Sequence, residues 1–327
     1  MLLKLITYYH GIDIPELPGT NVFYSKEMFQ VYEALPGYTP ILIVAYDGMK
    51  PIAKILTVVR KCSRLIPPSF INQYEIYGTG EYFDEEIDSE YLFSKMLEYI
   101  TSIGTKESFL IEFRNLENPL FGYKAFRENK YFPVNWLRVR NSFHNTSDLL
   151  QKVSVSRRRQ IKKGYANGAK VSVANKLEEI QLFSKMIKRN YSYNIRKHFP
   201  CIEFFDYFDE KAVHSKMSKI FIVKYKDKII GGSVIIFSEK NAYLLFSGGI
   251  RKTHKKLYPG VLAIWEALKF ANNEGYEHLE YMDVGLPFRK HGYRDFVLRF
   301  GGQQKSSRRW FRFKWSFLNN FLVRIYT

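Results

Sequence analysis

The sequence predicts an α/β (α+β) fold of two related halves, each a mixed, mostly antiparallel sheet flanked by helices. Three observations lead there. A chain of 327 residues suits two domains better than one. Its composition, 46% hydrophobic and 25% charged, is that of a folded globular protein. Its 27 Phe and 24 Tyr favour strands and supply large buried areas.

In the first half, Ser25 to Leu35 reads as a helix, with Ser25 as its cap and Glu27 in the first turn. Pro40 to Ala45 and Ile52 to Val59 are apolar runs on either side of Asp47-Gly48, the signature of a hairpin of buried strands. Ile71 to Thr79 is a further strand ending at glycines. Ser89 to Ser102 spaces Leu92, Met96, Leu97 and Ile100 as one helix face, and Ser108 to Phe113 follows as a short strand.

The second half repeats this order. Leu177 to Asn190 carries Ile180, Phe183, Met186 and Ile187 on one helical face. Ile220 to Tyr225, Ile229 to Phe237 and Ala242 to Ser247 are apolar runs joined by short polar turns, a meander. Gly260 to Asn272 is a helix, His278 to Met282 a strand, and Arg308 to Phe317 an alternating basic and aromatic final strand. The repetition is one of pattern, not of residues. The domains are placed at 1–150 and 151–327, with the boundary near Asn145 to Lys152.

The charge of +18 says nothing of fold, but it selects anionic partners such as nucleic acid or phosphorylated lipid. It is concentrated. Gln151 to Lys170 holds seven cations and no acid; Arg294 to Thr327 holds eight against Asp295 alone. Cys62 and Cys201 are too few for a disulfide framework and lack metal-site spacing. The opening MLLKLITYYHG is too short in its apolar run for a signal peptide, and no stretch reaches membrane-span length. A cytoplasmic protein, with at most peripheral contact at the inner membrane face, is expected.

Three segments resemble the Fem family, transferases that move amino acids from charged tRNA onto peptidoglycan precursors. The first is Ser156-Arg157-Arg158-Arg159-Gln160-Ile161-Lys162-Lys163-Gly164 with Gly168-Ala169-Lys170-Val171, similar to a basic helix running into a strand. The second is Gly275-Tyr276 with Tyr281-Met282-Asp283-Val284-Gly285, and the third is Phe296-Val297-Leu298-Arg299-Phe300-Gly301-Gly302. The resemblance covers Leu150 to about Phe317 and implies two tandem acetyltransferase-like (GNAT-like) domains in a bacterial cell-wall enzyme. Val297 stands where the family usually has lysine. Arg299, placed on the same side of a strand, is expected to substitute.

Amine acylation needs oxyanion donors, a proton acceptor and orientation of both substrates. Asp283, at a strand end before Gly285, is the expected catalytic carboxylate, with Arg299 beside it, although an Asp before a Gly also caps turns. Phe296, Gly285, Gly301, Gly302 and Tyr258 are expected around the substrate; the glycines equally suit a bulge. Arg158 and Lys162, like Arg159 and Lys163, share helix faces, and with Arg157 they would clamp phosphates of tRNA or of a lipid pyrophosphate, or form an ordinary solvated helix face. Lys255 and Lys256 lie before the Gly260 helix, where acetyltransferases cradle coenzyme A. Pro259 lacks a donor there and only one glycine is present. Trp310 to Leu322, interleaved with cations, suits either an interfacial membrane contact or a half-buried strand. The seven histidines show no metal-ligand spacing, so no metal and no tightly bound cofactor is expected, nor DNA.

Three functions follow in order: aminoacyl transfer from aminoacyl-tRNA to an amine of an envelope precursor; N-acylation from acyl-CoA in surface polysaccharide synthesis; and a non-catalytic RNA- or membrane-binding module.

Overall fold

The computed structural model describes residues 2–61, 72–116, 118–144, 148–190, 203–205 and 217–326; Cys62 and Cys201 lie outside them. In chain order the first elements are β1 (Leu3–Tyr8), α1 (Lys26–Glu33), β2 (Tyr38–Asp47), β3 (Lys50–Lys61), β4 (Asn72–Tyr77), β5 (Glu81–Tyr82), α2 (Ser89–Glu107), β6 (Leu110–Arg114), α3 (Tyr123–Glu128) and β7 (Phe132–Ser142). There follow α4 (Leu149–Lys152), α5 (Val155–Ala166), β8 (Lys170–Val173), α6 (Leu177–Asn190), β9 (Ser218–Tyr225), β10 (Lys228–Ser238), β11 (Asn241–Gly249), α7 (Pro259–Asn273), β12 (His278–Tyr281), α8 (Gly292–Leu298), β13 (Gln303–Phe313) and α9 (Ser316–Ile325).

Two compact units emerge: Met1–Trp136 with Ser306–Thr327, and Leu137–Lys305. The boundary drawn from sequence near residue 150 falls inside the second unit. Chain order hid this, because strand pairing and not sequence proximity assigns the ends. Arg309 to Phe313 of β13 pairs antiparallel with β6 in the first unit, and Val139 to Ser142 of β7 pairs antiparallel with β12 in the second.

Each unit follows one plan. In the first, β2, β3 and β4 form an antiparallel meander, α2 crosses over, and β6 returns parallel to β4. The Asp47-Gly48 turn is where expected, with Gly48 at φ +58° as a tight hairpin requires. Ser25 caps α1, its side chain accepting from the Met28 N–H. In the second unit β9, β10 and β11 form the meander, α7 crosses over, and β12 returns parallel to β11. Lys226 and Asp227, at φ +47° and +62°, make the two-residue turn between β9 and β10.

The second core is built around α7. Val261, Leu262, Ala263, Ile264, Ala267, Leu268 and Ala271 are all buried, so this helix is apolar almost all round, as a central helix must be. Each fully buried Leu or Ile contributes about 1.5–3 kcal/mol relative to exposure. The N-terminus of α7 packs tightly on the sheet. A Cβ on Gly231 or Gly249 would meet Pro259 at 2.8 or 2.9 Å, so only glycine lets the helix start there.

The final strand differs from expectation. It ends at Phe313, and residues 316–325 form α9, where Phe317, Phe321 and Ile325 repeat at helical and not strand spacing. Within β13, Trp310 is fully buried and stacks on Phe126 at 4.5 Å, while Arg308 lies over Tyr123, so the half-buried strand reading fits this part.

Candidate functional site

In the second unit, β11 and β12 run parallel and share four rungs, from Asn241 opposite His278 to Leu244 opposite Tyr281. There β12 ends, while β11 continues along β10 to Gly249. The chain after β12 carries Met282-Asp283-Val284-Gly285, and the chain after β11 leads through Arg251 to the start of α7. Divergence of a parallel pair at its carboxyl end, beside a helix N-terminus, is where α/β sheets place ligands.

A buried arginine stands beside that helix N-terminus. Arg157, in the first turn of α5, is only 6% exposed. Its guanidinium lies 4.1 Å from the ring centre of Phe296 and 5.3 Å from that of Phe300. It donates to Gln160 Oε1 at 2.5 Å and to the Phe296 carbonyl at 3.4 Å, and its Nε has no hydrogen-bond partner. Among the described residues no carboxylate forms an ion pair with it. Burial first, then the neighbouring Arg299 and Arg251, push its pKa down to about 10, which still leaves it charged at neutral pH. Three neighbouring guanidiniums, with no ion pair shown for them among the described residues, favour an anion.

The backbone brings these groups together. The Ser154 N–H donates to the Arg299 carbonyl at 3.0 Å, joining the start of α5 to the end of α8. At the other end of α5, Gly164 sits so close to the 255–257 loop that a Cβ would lie 2.8 Å from the Leu257 carbonyl oxygen, and Asn167 donates to the Lys256 carbonyl at 2.8 Å. A Cβ on Gly260 would lie 4.0 Å from the Phe296 ring. The basic helix, the start of α7 and α8 thus form one neighbourhood.

Sequence expectations fare differently within it. Phe296 holds Arg157 by its ring and its carbonyl. Arg158 is half-buried, whereas Arg159, Lys162, Lys163, Lys255 and Lys256 are exposed. Tyr258 caps α7 with φ +49°, an uncommon conformation for a non-glycine residue. Asp283 is exposed just past β12. The strand expected at Val297 and Arg299 is instead α8 and its C-cap. Residues two apart on a helix do not share a face. Val297 is therefore core, with no exposed surface, and Arg299 is exposed and cannot copy a side chain at 297.

The glycines are filled by the chain itself. A Cβ on Gly285 would meet the His291 ring at 2.6 Å, one on Gly301 the Lys152 carbonyl oxygen at 2.4 Å, and one on Gly302 the Val139 side chain at 2.4 Å. Gly285 and Gly301 also have φ near +82° and +86°. These contacts account for glycine by close packing.

Several groups acquire a place at the site only through the fold, although Tyr281 and Arg294 lie in segments the sequence singled out. Arg294 is buried and donates to the Leu286 carbonyl at 2.7 Å and the Arg289 carbonyl at 2.5 Å, clamping the loop that follows Asp283. The Tyr281 hydroxyl is fully buried without a hydrogen-bond partner, and burial, then Tyr293, push its pKa well up. Tyr293 lies 3.3 Å from Ser247 Oγ. Arg251 enters only through the fold, from the turn after β11. The side-chain hydroxyls of Tyr281, Tyr293 and Ser247 therefore gather where the two parallel strands part.

Comparison with known proteins bears on the same unit. Residues 153–290 match the acetyltransferase (GNAT) domain family. The structure is similar to a crystal structure of FemX, with TM-score 0.66 at 10% identity, over 94% of this chain and 95% of that one. It is also similar to a tandem GNAT protein from the clavulanic acid biosynthesis pathway, with TM-score 0.59 at 8% identity, over 96% and 99% of the two chains. A third likeness is to the C-terminal domain of an Agrobacterium fabrum protein described as a lysylphosphatidylglycerol synthetase, with TM-score 0.53 at 11% identity, over 84% and 83%. No curated protein matches by sequence. Residues 153–290 thus carry an acyltransferase-type domain, and the fold of the chain is similar to those of FemX and of a tandem GNAT protein. Among the described residues no helix is long and apolar enough to cross a membrane.

Proposed function

We propose that the chain transfers an aminoacyl group from aminoacyl-tRNA to an amine of a cell-envelope precursor, with the chemistry in the second unit. The observation that carries this reading is Arg157, a buried guanidinium flanked by Arg299 and Arg251 and lacking an ionic partner among the described residues. Holding such a charge out of water is unfavourable unless an anion completes it. A donor phosphate would do so, and the exposed Arg159, Lys162 and Lys163 would extend the contact along a nucleic-acid backbone.

In the transfer, the acceptor amine attacks the ester carbonyl; a C–N bond forms and the C–O bond to tRNA breaks. Asp283, exposed past β12, takes the proton that the amine loses. Tyr281, held protonated at neutral pH by burial, supplies a proton to the leaving ribose oxygen and is reprotonated as Asp283 gives up the proton it took. Arg294 keeps the loop beyond Asp283 in place through backbone carbonyls. In the first unit, α9 exposes Phe317, Phe321 and Ile325 in a row beside Lys314 and Arg324, which suits the surface of an anionic membrane.

The second reading keeps the site but uses an acyl-CoA donor. The matched acetyltransferase domain and the position of the α7 N-terminus beside Phe296 favour it. Assays with charged tRNA and with acetyl-CoA, each offered amine-bearing muropeptides and aminated lipids, separate the two. Transfer from tRNA alone supports the first reading; transfer from acetyl-CoA alone replaces it with the second. No transfer from either donor abandons both for a binding role.

A further inference from the structure

At the far end of β12 from Tyr281, three ligand-bearing side chains meet that the sequence keeps apart. His144 follows β7, Glu277 immediately precedes β12 and His278 begins it. One ligand atom from each lies within 4.8 Å of the other two. We propose that His144, Glu277 and His278 form a zinc site, separate from the transfer site.

The backbone holds this cluster in place before any ion arrives. The Phe143 N–H donates to the Glu277 carbonyl at 2.9 Å, and the Glu277 N–H to the Lys240 carbonyl at 2.8 Å. His278 is paired with Ser142 on one side and Asn241 on the other. Side chains are oriented as well. His278 Nδ1 lies 2.9 Å from Asn241 Oδ1, a contact that assigns the ring proton to Nδ1 and the lone pair to Nε2. Glu277 Oε1 pairs with Lys240 at 3.1 Å, while Oε2 faces His144 Nε2 at 3.8 Å. One carboxylate oxygen is thus anchored and the other directed at the histidine.

Two imidazoles and one carboxylate are a borderline donor set that suits zinc, with a fourth position left to water. Tetrahedral zinc holds its ligand atoms about 3.3 Å apart, so the cluster must contract slightly. His144 is exposed and can turn to close it. Lys240 and Arg140 add positive charge nearby, which weakens the site without blocking it. The ion would tie the end of β7 to the start of β12, the strand that leads to Asp283.

The test uses the full chain, stripped with chelator and titrated with zinc chloride alone by calorimetry near neutral pH. Cobalt(II) absorption reports the ligand set separately. The expected result is one ion per chain, with a tetrahedral cobalt spectrum and a rise in melting temperature. His144→Ala, at an exposed position that should leave folding intact, should weaken binding more than tenfold. Asn241→Ala should weaken it about tenfold through ring orientation. Absence of saturable one-site binding overturns the proposal. So does binding unchanged by His144→Ala, which would place the ion elsewhere.

Discussion

In the first unit, buried charge is matched group by group; in the second, the best-buried guanidinium near the proposed site is not. On the sheet of the first unit, Glu112 is held by Arg114 at 2.9 Å and Arg309 at 2.8 Å, and Gln73 donates to it at 2.7 Å. Glu75 pairs with Arg60 at 2.9 Å, and Trp136 lies against Arg309 at 3.9 Å. In the second unit Arg157 contacts aromatic rings, an amide and a backbone carbonyl, with Arg299 and Arg251 near it, and no carboxylate among the described residues pairs with it. The parallel strands differ in the same sense. β4 and β6 stay joined to their ends, where the Gly78 N–H donates to the Arg114 carbonyl at 2.8 Å, whereas β11 outruns β12 by five residues, Leu245 to Gly249. One plan, used twice, has been closed in one unit and left open in the other. The lesson is that charge pairing and strand divergence distinguish two sheets that element order does not, and they mark the second as the one proposed to carry the chemistry.

The sharpest way to break this contrast is to remove matched charge. Glu112→Gln leaves Arg114 and Arg309 uncompensated and should destabilise the protein by about 3–5 kcal/mol in urea denaturation. The same pair predicts a pH response. Burial raises the Glu112 pKa, but Arg114 and Arg309 outweigh it and hold it at about 2, against an ordinary value near 4.5. A depressed carboxylate stabilises the fold above its unfolded pKa and loses that contribution as pH falls through the folded one. Roughly 3 kcal/mol should disappear between about pH 4.5 and 2, and Glu112→Gln should lose that acid-dependent part.

Next in size is Tyr281→Phe. It removes a buried hydroxyl without a hydrogen-bond partner, so stability should hold within about 1 kcal/mol. Transfer should nonetheless fall on the order of a hundredfold in kcat if that proton is delivered to the leaving group. Equal loss of stability and activity would assign the residue to packing. Gly301→Ala should cost about 1–3 kcal/mol, from its φ of +86° and the Lys152 carbonyl oxygen 2.4 Å from a new Cβ.

Much of this was legible in the sequence. The meanders, α2, α6 and α7 carry their apolar residues at the period of the element they form, and the hairpin glycine and the Ser25 cap stand where the chain turns. The ends of the units were not legible, because β7 and β13 are assigned by strands far away in sequence. The site was partly legible. The basic run announced α5, but charge alone made Arg158, Arg159, Lys162 and Lys163 equal to Arg157, and only burial singles one out. The Phe296 to Gly302 segment reads as a strand on which Val297 and Arg299 share a side, although Phe296 and Phe300 stand four apart, a helical spacing. The structure shows a short helix whose Val297 is core. Arg294 and Tyr281 lay in segments the sequence singled out, but not as a clamp or a buried hydroxyl, since those roles exist only in three dimensions.

The central claim is that Arg157 is kept for an anion, and binding of deacylated tRNA to Arg157→Met and wild-type protein at two salt concentrations tests it most directly. The account predicts stability unchanged within about 1 kcal/mol or slightly raised, since an unmatched buried charge is removed. It also predicts affinity weakened at least tenfold and a salt dependence shallower by about one phosphate contact. Unchanged affinity and salt slope, in a variant that folds as well as wild type, would contradict it.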